Sequence, residues 1–415
     1  MDVPFVWVYL DRTRGLGHAV RVTRTAAVAL SLLLALNVAG CEQLREPPAP
    51  YPRSAAPTVA FDPPARFARP SVPLRFSLGR GDYEVTLDGH TVLIAPRSGD
   101  GPLQGAVFPS SVPAWQAAPV HPYAMPALAA NTYPDAAHPR PVPATLGGRR
   151  LVLFGALVAT DGGHRAVEVD AADPATGELA WHAELPVADG AGAGGWFAVN
   201  VFDAGPAGLL VGLAGEHAQS WLLDPATREV RWHDATVGVL AVEGYAVGTT
   251  GGPSQPHRVV ALRLPDGTPA WSVDGAADRL WSAGPGLIAY RAAGGGLRLL
   301  DAATGAPVPG LVPDGGVGPC RYDGRGITVC GAFDGRPGPV FAVDPAARRL
   351  LWSRPDLAVS ALFHGALYGL AVYDAATARV REGSPGLPAA PYAVNEYLAV
   401  APADGAPFVG YFATG

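Results

Sequence analysis

Residues 173–181 read DPATGELAW, residues 224–232 read DPATREVRW, and residues 344–352 read DPAARRLLW. The same phrase, an Asp followed eight residues later by a Trp, recurs with drift elsewhere. Four residues before each Trp stands a turn position: Gly177 before Trp181, Arg228 before Trp232, Gly267 before Trp271 and Arg348 before Trp352. Two degenerate copies keep the frame, with Gly305 before Pro309 in LLDAATGAPVP and Ala378 before Glu382 in VYDAATARVRE. A faint earlier copy ends at Trp115 in VPAW. The anchor points recur with a period of about 40 residues, which in a chain patterned for strands indicates one four-stranded propeller blade per repeat.

The chemistry of the phrase agrees. A short apolar strand precedes it, as in AVEVD, WLLD and VFAVD. The Asp then caps a turn by accepting from nearby backbone N–H groups, Pro presets φ, and Gly takes the left-handed position. Beyond the Gly, Leu179 and Trp181 share one strand face, as do Val230 with Trp232 and Leu350 with Trp352. That face is expected to be buried, with the Trp wedged against the neighbouring blade. Arg228 and Arg348 stand where Gly is favoured, so those two copies are expected to use another loop type. Because Asp173, Asp224, Asp301, Asp344 and Asp374 recur copy after copy, they read as turn caps and not as one active site.

Composition sets further bounds. The chain has 415 residues, 52 Gly and 43 Pro, a balance natural for short strands and turns. All 30 basic residues are Arg, which excludes the lysine-dependent P-loop, Schiff-base and protein-kinase chemistries. Net charge is −6 with both signs interspersed, so the sequence offers no nucleic-acid surface. Gly190, Gly192 and Gly195 match GxGxxG only formally, since a strand pattern follows and no βαβ unit exists. GxSxG and HExxH are missing, and the ten His residues are scattered.

The N-terminal part reads as an export signal. Arg21 and Arg24 precede the apolar run Ala26–Gly40, which is short for a bilayer span and right for a secretory core segment. It ends in Val38-Ala39-Gly40-Cys41, which resembles a bacterial lipobox. That resemblance implies a signal peptide over residues 1–40, lipidation of Cys41, and anchorage to the extracytoplasmic face of a bacterial membrane. Residues 1–19 are long for the leading region, so translation is expected to begin near Val20. The Pro-rich stretch 41–73 reads as a tether whose end could enter the fold as an edge strand. Residues 74–415 form the propeller.

Cys320 and Cys330 remain, in GPCRYDGRGITVCGAF. An even pair in an exported chain suggests a disulfide. A three-residue loop at Gly324-Arg325-Gly326 pairs Asp323 with Ile327, and alternation then makes Cys320 and Cys330 a non-hydrogen-bonded pair, where side chains come closest. A zinc pair is the alternative reading, but no further His or Cys lies near in sequence.

The repeats resemble those of the PQQ-like (quinoprotein-like, BamB-type) β-propellers, over about residues 165 to 382. The resemblance implies an all-β fold of eight blades, seven being the alternative. It places the C-terminal NEYLAVAPADGAPFVGYFATG and the N-terminal RFARPSVPLRFSL together in the closing blade. Quinone oxidation in this family needs a Ca²⁺ site of Glu, Asn and Asp, an Asp base and usually adjacent cysteines. This chain has no adjacent cysteines and only four Asn, of which Asn200 and Asn395 could serve calcium with nearby acids. The expectation is therefore a monomeric, non-catalytic envelope lipoprotein that needs no cofactor and binds an envelope protein of unknown identity. A secreted quinone- and Ca²⁺-dependent dehydrogenase using the central channel is the alternative. Residues 117–148 interrupt the repeat, and His121, Tyr123, Met125, Tyr133 and His138 make this insertion the candidate partner-binding element.

Overall fold

The computed structural model describes residues 59–415 apart from 69–70, 77–82, 97–100, 111, 125–139, 162, 188–196, 204, 216–217, 236–239, 251–257, 275–276, 293–294 and 404–405. Eight antiparallel sheets form a β-propeller, each running from an inner to an outer strand in chain order except at the closure. Blades 1 to 4 cover residues 83–117, 142–186, 197–234 and 240–274. Blade 5 covers 277–307, its fourth position held by the bridge of Leu300 to Pro307. Blades 6 and 7 cover 320–358 and 361–382. Blade 8 combines three C-terminal strands, 393–394, 398–403 and 406–412, with Val72–Pro73 as its outer strand. The ring thus closes with strands from both ends of the sequence, as the terminal segments predict.

The entering segment is strapped down along its length. Phe61 N–H donates to the Glu396 carbonyl at 2.8 Å, and the buried Tyr368 hydroxyl donates to the Pro64 carbonyl at 2.8 Å. Phe67 bridges to Ala413, and Val72 pairs with Gly410. Burial pushes the Tyr368 hydroxyl pKa far up, so the group serves only as a hydrogen-bonding post.

The repeated phrase builds the junctions between blades. Asp173 Oδ1 accepts from Ala175 and Thr176 N–H at 2.9 and 3.3 Å, and Asp224 Oδ1 repeats this with Ala226 and Thr227 at 2.8 and 3.2 Å. Asp301 caps through Ala303 and Thr304, Asp344 through Ala347, and Asp374 through the Thr377 hydroxyl. In five blades a Trp reaches the turn of the next. Trp115 Nε1 donates to the Pro174 carbonyl at 3.0 Å, Trp181 to Pro225 at 2.9 Å and Trp232 to Leu264 at 2.6 Å. Trp271 donates to Ala302 at 2.9 Å and Trp352 to Ala375 at 2.8 Å. The indole also lies flat on the turn: a Cβ on Gly305 would stand 2.6 Å from the Trp271 ring.

The two degenerate copies replace the indole with an ion pair. At the Trp position of blade 7, Glu382 meets Arg66 of the entering segment at 2.6 Å. Between blades 5 and 6, Arg348 of one turn contacts Asp301 of the previous turn.

One expectation is corrected here. Arg228 (φ 66°) and Arg348 (φ 50°) adopt the same left-handed turn as Gly177 (φ 73°) and do not change loop type. Arg228 N–H donates to the Asp224 carbonyl at 2.8 Å, as Gly177 does to Asp173. The left-handed conformation costs a non-glycine residue about 1–2 kcal/mol. The Asp cap and the closing backbone bond define the turn strongly enough to impose it.

Cys320 and Cys330 are directly opposed across their hairpin and joined as a disulfide, with Cα atoms 4.0 Å apart. Asp323 organises the loop between them, its Oδ1 accepting from the N–H groups of Arg325, Gly326 and Ile327 at 2.7–3.0 Å. The zinc reading of this pair is thereby replaced.

The two kinds of junction should differ in strength. Trp181→Ala should lower the unfolding free energy by about 3–5 kcal/mol, because it removes a buried aromatic and leaves the Pro225 carbonyl unpaired. Glu382→Ala should cost no more than about 1 kcal/mol, since its partner Arg66 is largely exposed. Urea denaturation of both variants measures the difference; equal losses would contradict the ranking.

Candidate functional site

The insertion is shorter than its sequence suggests. Trp115–Ala117 is the outer strand of blade 1, and Val142–Leu146 is the inner strand of blade 2. The insertion between these strands is therefore residues 118–141, and its first part, up to Ala124, is gripped by blade 2. Ala124 N–H donates to the Leu157 carbonyl at 3.0 Å, and Ala159 N–H to the Pro122 carbonyl at 2.8 Å. Tyr123 bridges to Val158 and covers the patch of Ala156, Val158 and Ala166.

One buried carboxylate holds the insertion's root, and a second lies beside it. Strand Arg165–Ala172 of blade 2 turns Val167, Val169 and Ala171 into the core shared with blade 3. Period-two alternation puts Glu168 and Asp170 on its other face. Both are fully buried. Glu168 accepts from the backbone N–H of Val120 and, at 3.1 Å, from that of His121. His121 Nδ1 lies 2.9 Å from Glu168 Oε2. From the outer strand Leu179–Pro186, His182 Nδ1 meets Asp170 Oδ1 at 3.0 Å and stands 3.6 Å from Glu168 Oε1. Asp170 Oδ2 has no hydrogen-bond partner.

Burial and the neighbouring Glu168 charge push the Asp170 carboxyl up to about 9, so it is protonated at neutral pH. Burial also pushes Glu168 up, but protonated Asp170, His121 and the two backbone N–H groups outweigh it and hold Glu168 below the usual carboxylate range. The hydrogen bond to Glu168 raises His121 above its ordinary value, against a smaller opposing effect of burial. The result is a carboxylate whose ionised form is favoured, facing a histidine whose protonated form is favoured, with a neutral acid beside them. His121, Glu168 and His182 each bring a donor atom within 4.8 Å of the others, so they could hold a metal ion.

Of the residues singled out from sequence, His121 and Tyr123 lie at this root. Cys41, Met125, Tyr133 and His138 fall outside the described residues, as do the glycines of the formal GxGxxG match. Asn395 is a turn residue: its Oδ1 accepts from Tyr397 and Leu398 N–H at 3.0 Å, and its Nδ2 donates to the Gly89 carbonyl at 2.7 Å. Asn200 sits in Phe197–Asp203, the inner strand of blade 3, away from Asn395 in the fold order. Sequence reading missed Glu168, Asp170 and His182. The signal was present in the repeat frame, because the positions equivalent to Asp170 in three other blades carry Trp221, Val260 and Phe341.

Stability around this root should vary with pH in a defined sense. The folded chain keeps a proton on Asp170 that the unfolded chain releases near pH 3.8, so this contribution falls as pH rises towards about 9. The His121 contribution, complete below its unfolded value of 6.5, also fades as pH climbs through its raised folded value. The Glu168 contribution runs the other way and is lost as pH drops from 4.5 through its lowered folded value. With chelator present, Asp170→Asn should therefore raise the melting temperature more at pH 8 than at pH 5. An equal change at both values would contradict the buried proton.

No protein-family model matches the chain, and no curated protein matches it in sequence. Solved structures match its fold. The computationally designed Ika8 protein superposes with a TM-score of 0.52 at 14% identity, covering 83% of this chain and 100% of that one. BamB from Moraxella catarrhalis gives 0.45 at 13% identity, covering 84% and 100%. Quinohemoprotein alcohol dehydrogenase from Comamonas testosteroni gives 0.43 at 13%, covering 85% and 75%. At such identities the likeness is one of fold alone.

Proposed function

We propose that the chain is a non-catalytic binding and scaffold module of a bacterial cell envelope, exported and anchored through lipidated Cys41, with the insertion after Trp115 as its binding element. The grip of blade 2 on the insertion's root is the observation that supports this reading. A loop fixed by the Glu168 carboxylate and by backbone bonds to strand Arg149–Ala159 loses little further freedom when it meets a partner. Met125, Tyr133 and His138 lie just beyond that fixed root in sequence and supply its contact groups. The repeated Asp and Trp residues, the most obvious chemical groups of the sequence, are engaged in turns and blade junctions. The lipobox supports the anchor.

In-cell crosslinking followed by mass spectrometry tests the proposal. Replacing residues 125–139 with a short Gly-Ser linker spares both the root and the strand at 142–146, so the variant should keep the wild-type melting temperature and lose its crosslinked partner. Cys41→Ser should leave the loop intact and move the chain out of the membrane fraction. Capture that survives the loop replacement would sink the binding role; membrane association that survives Cys41→Ser would sink the anchor.

A further inference from the structure

We propose that His121, Glu168 and His182 bind one first-row divalent cation of the Zn²⁺ type. The site lies in the seam where the insertion joins blade 2, and its argument is independent of any protein partner.

The donor set is the first argument. Two imidazoles and a carboxylate match zinc and its neighbours, whereas Ca²⁺ and Mg²⁺ take oxygen ligands. Spacing is the second. Ligands 2.0–2.1 Å from a tetrahedral ion stand about 3.3 Å from one another. Here His121 Nδ1 is 2.9 Å from Glu168 Oε2, and His182 Nδ1 is 3.6 Å from Glu168 Oε1. Each imidazole thus lies close to one oxygen of the Glu168 carboxylate, and the three donor atoms fall within 4.8 Å of one another.

Access is the third. The imidazole side chains are 25% and 31% exposed, while both carboxylates are wholly enclosed. An ion can therefore enter from the histidine side and keep an open position for water. Asp170 is the fourth. Its Oδ1 stands 3.0 Å from His182 Nδ1, on the same edge of the ring as the ligating nitrogen, and its Oδ2 is buried without a partner. Asp170 therefore stands beside the ion's position, and a divalent charge there would offset the cost of enclosing two acids side by side.

The internal repeat supplies the strongest argument, because it shows what the fold itself requires. In blade 3 the positions of Glu168, Asp170 and His182 are occupied by Gln219, Trp221 and His233. There His233 stacks on Trp221 with ring centres 5.2 Å apart, and its Nε2 lies 3.3 Å from Gln219 Oε1. Val260 in blade 4 and Phe341 in blade 6 likewise stand where blade 2 has Asp170. Four blades thus share one backbone pairing at this place, and three of them use an apolar residue. Propeller packing does not call for the acids, so the acids answer to something else that lies against them. Bound there, the ion would tie His121 at the insertion's root to the outer strand of blade 2.

Zinc titration of the tag-free, chelator-stripped chain tests the proposal, with Co²⁺ as a spectroscopic probe. The wild type should bind one ion per chain. His121→Ala and His182→Ala should each weaken binding at least 100-fold. His233→Ala, at the equivalent position of blade 3, should bind like the wild type. Should the histidine variants fail to fold, X-ray absorption on the Zn²⁺-loaded wild type decides: a first shell of nitrogen and oxygen with two imidazoles supports the site. A wild type that binds no stoichiometric ion, histidine variants that bind as tightly as His233→Ala, or a shell without imidazole would each overturn it.

Discussion

The ring depends on one contact made five times: an indole N–H donated to a backbone carbonyl in the turn of the next blade, with the ring laid against the turn glycine at Gly177, Gly267 and Gly305. The blades are separate sheets, so side chains must join one to another. A flat aromatic with a polar edge suits this role because it buries a large apolar area and directs one bond across the junction. The turn must then present a bare carbonyl and a flat backbone, which the capped left-handed turn does. Asp, Gly and Trp are three parts of this single device, and this is why they recur together in the sequence. Where the Trp is lost, at Pro309 and Glu382, a pair between an exposed arginine and a largely covered carboxylate spans the junction, a weaker solution.

The architecture was legible because this device is local. Cap, turn and Trp fall within nine residues, so spacing alone reveals them, and closure by the terminal segments follows from the count of strands. The disulfide was equally legible, since a three-residue hairpin loop fixes the register of Cys320 against Cys330. Arg228 and Arg348 misled because residue preference pointed to another turn, while hydrogen bonds from the rest of the phrase imposed the usual one. Boundaries of the insertion misled for a similar reason: the strand at Val142–Leu146 contains a Pro and reads as loop, yet it pairs fully with Arg149–Leu153.

The cluster in blade 2 was the least legible part. Glu168 and Asp170 lie within a strand whose other face is apolar, and alternation of that sort normally marks a solvated face. Here the insertion folds back over the acids and encloses them, a long-range event that no local window reports. Only comparison between blades exposes the anomaly: the same strand positions carry Gln219 and Trp221 in blade 3. The repeat thus has two uses. It explains how the ring stands, and by what it leaves unexplained it marks residues that the ring does not need.

The central claim is that Trp and turn act as one unit across each junction, and a double-mutant cycle between Trp271 and Gly305 tests it most directly. Gly305→Ala places a Cβ 2.6 Å from the Trp271 ring as well as a side chain on a left-handed residue. In the Trp271→Ala background the clash is gone and only the backbone cost of about 1–2 kcal/mol remains. The predicted result is a loss for Gly305→Ala that is smaller by at least about 1 kcal/mol when Trp271 is already Ala. Additive losses would mean that the indole and the turn do not bear on each other, and would contradict the account.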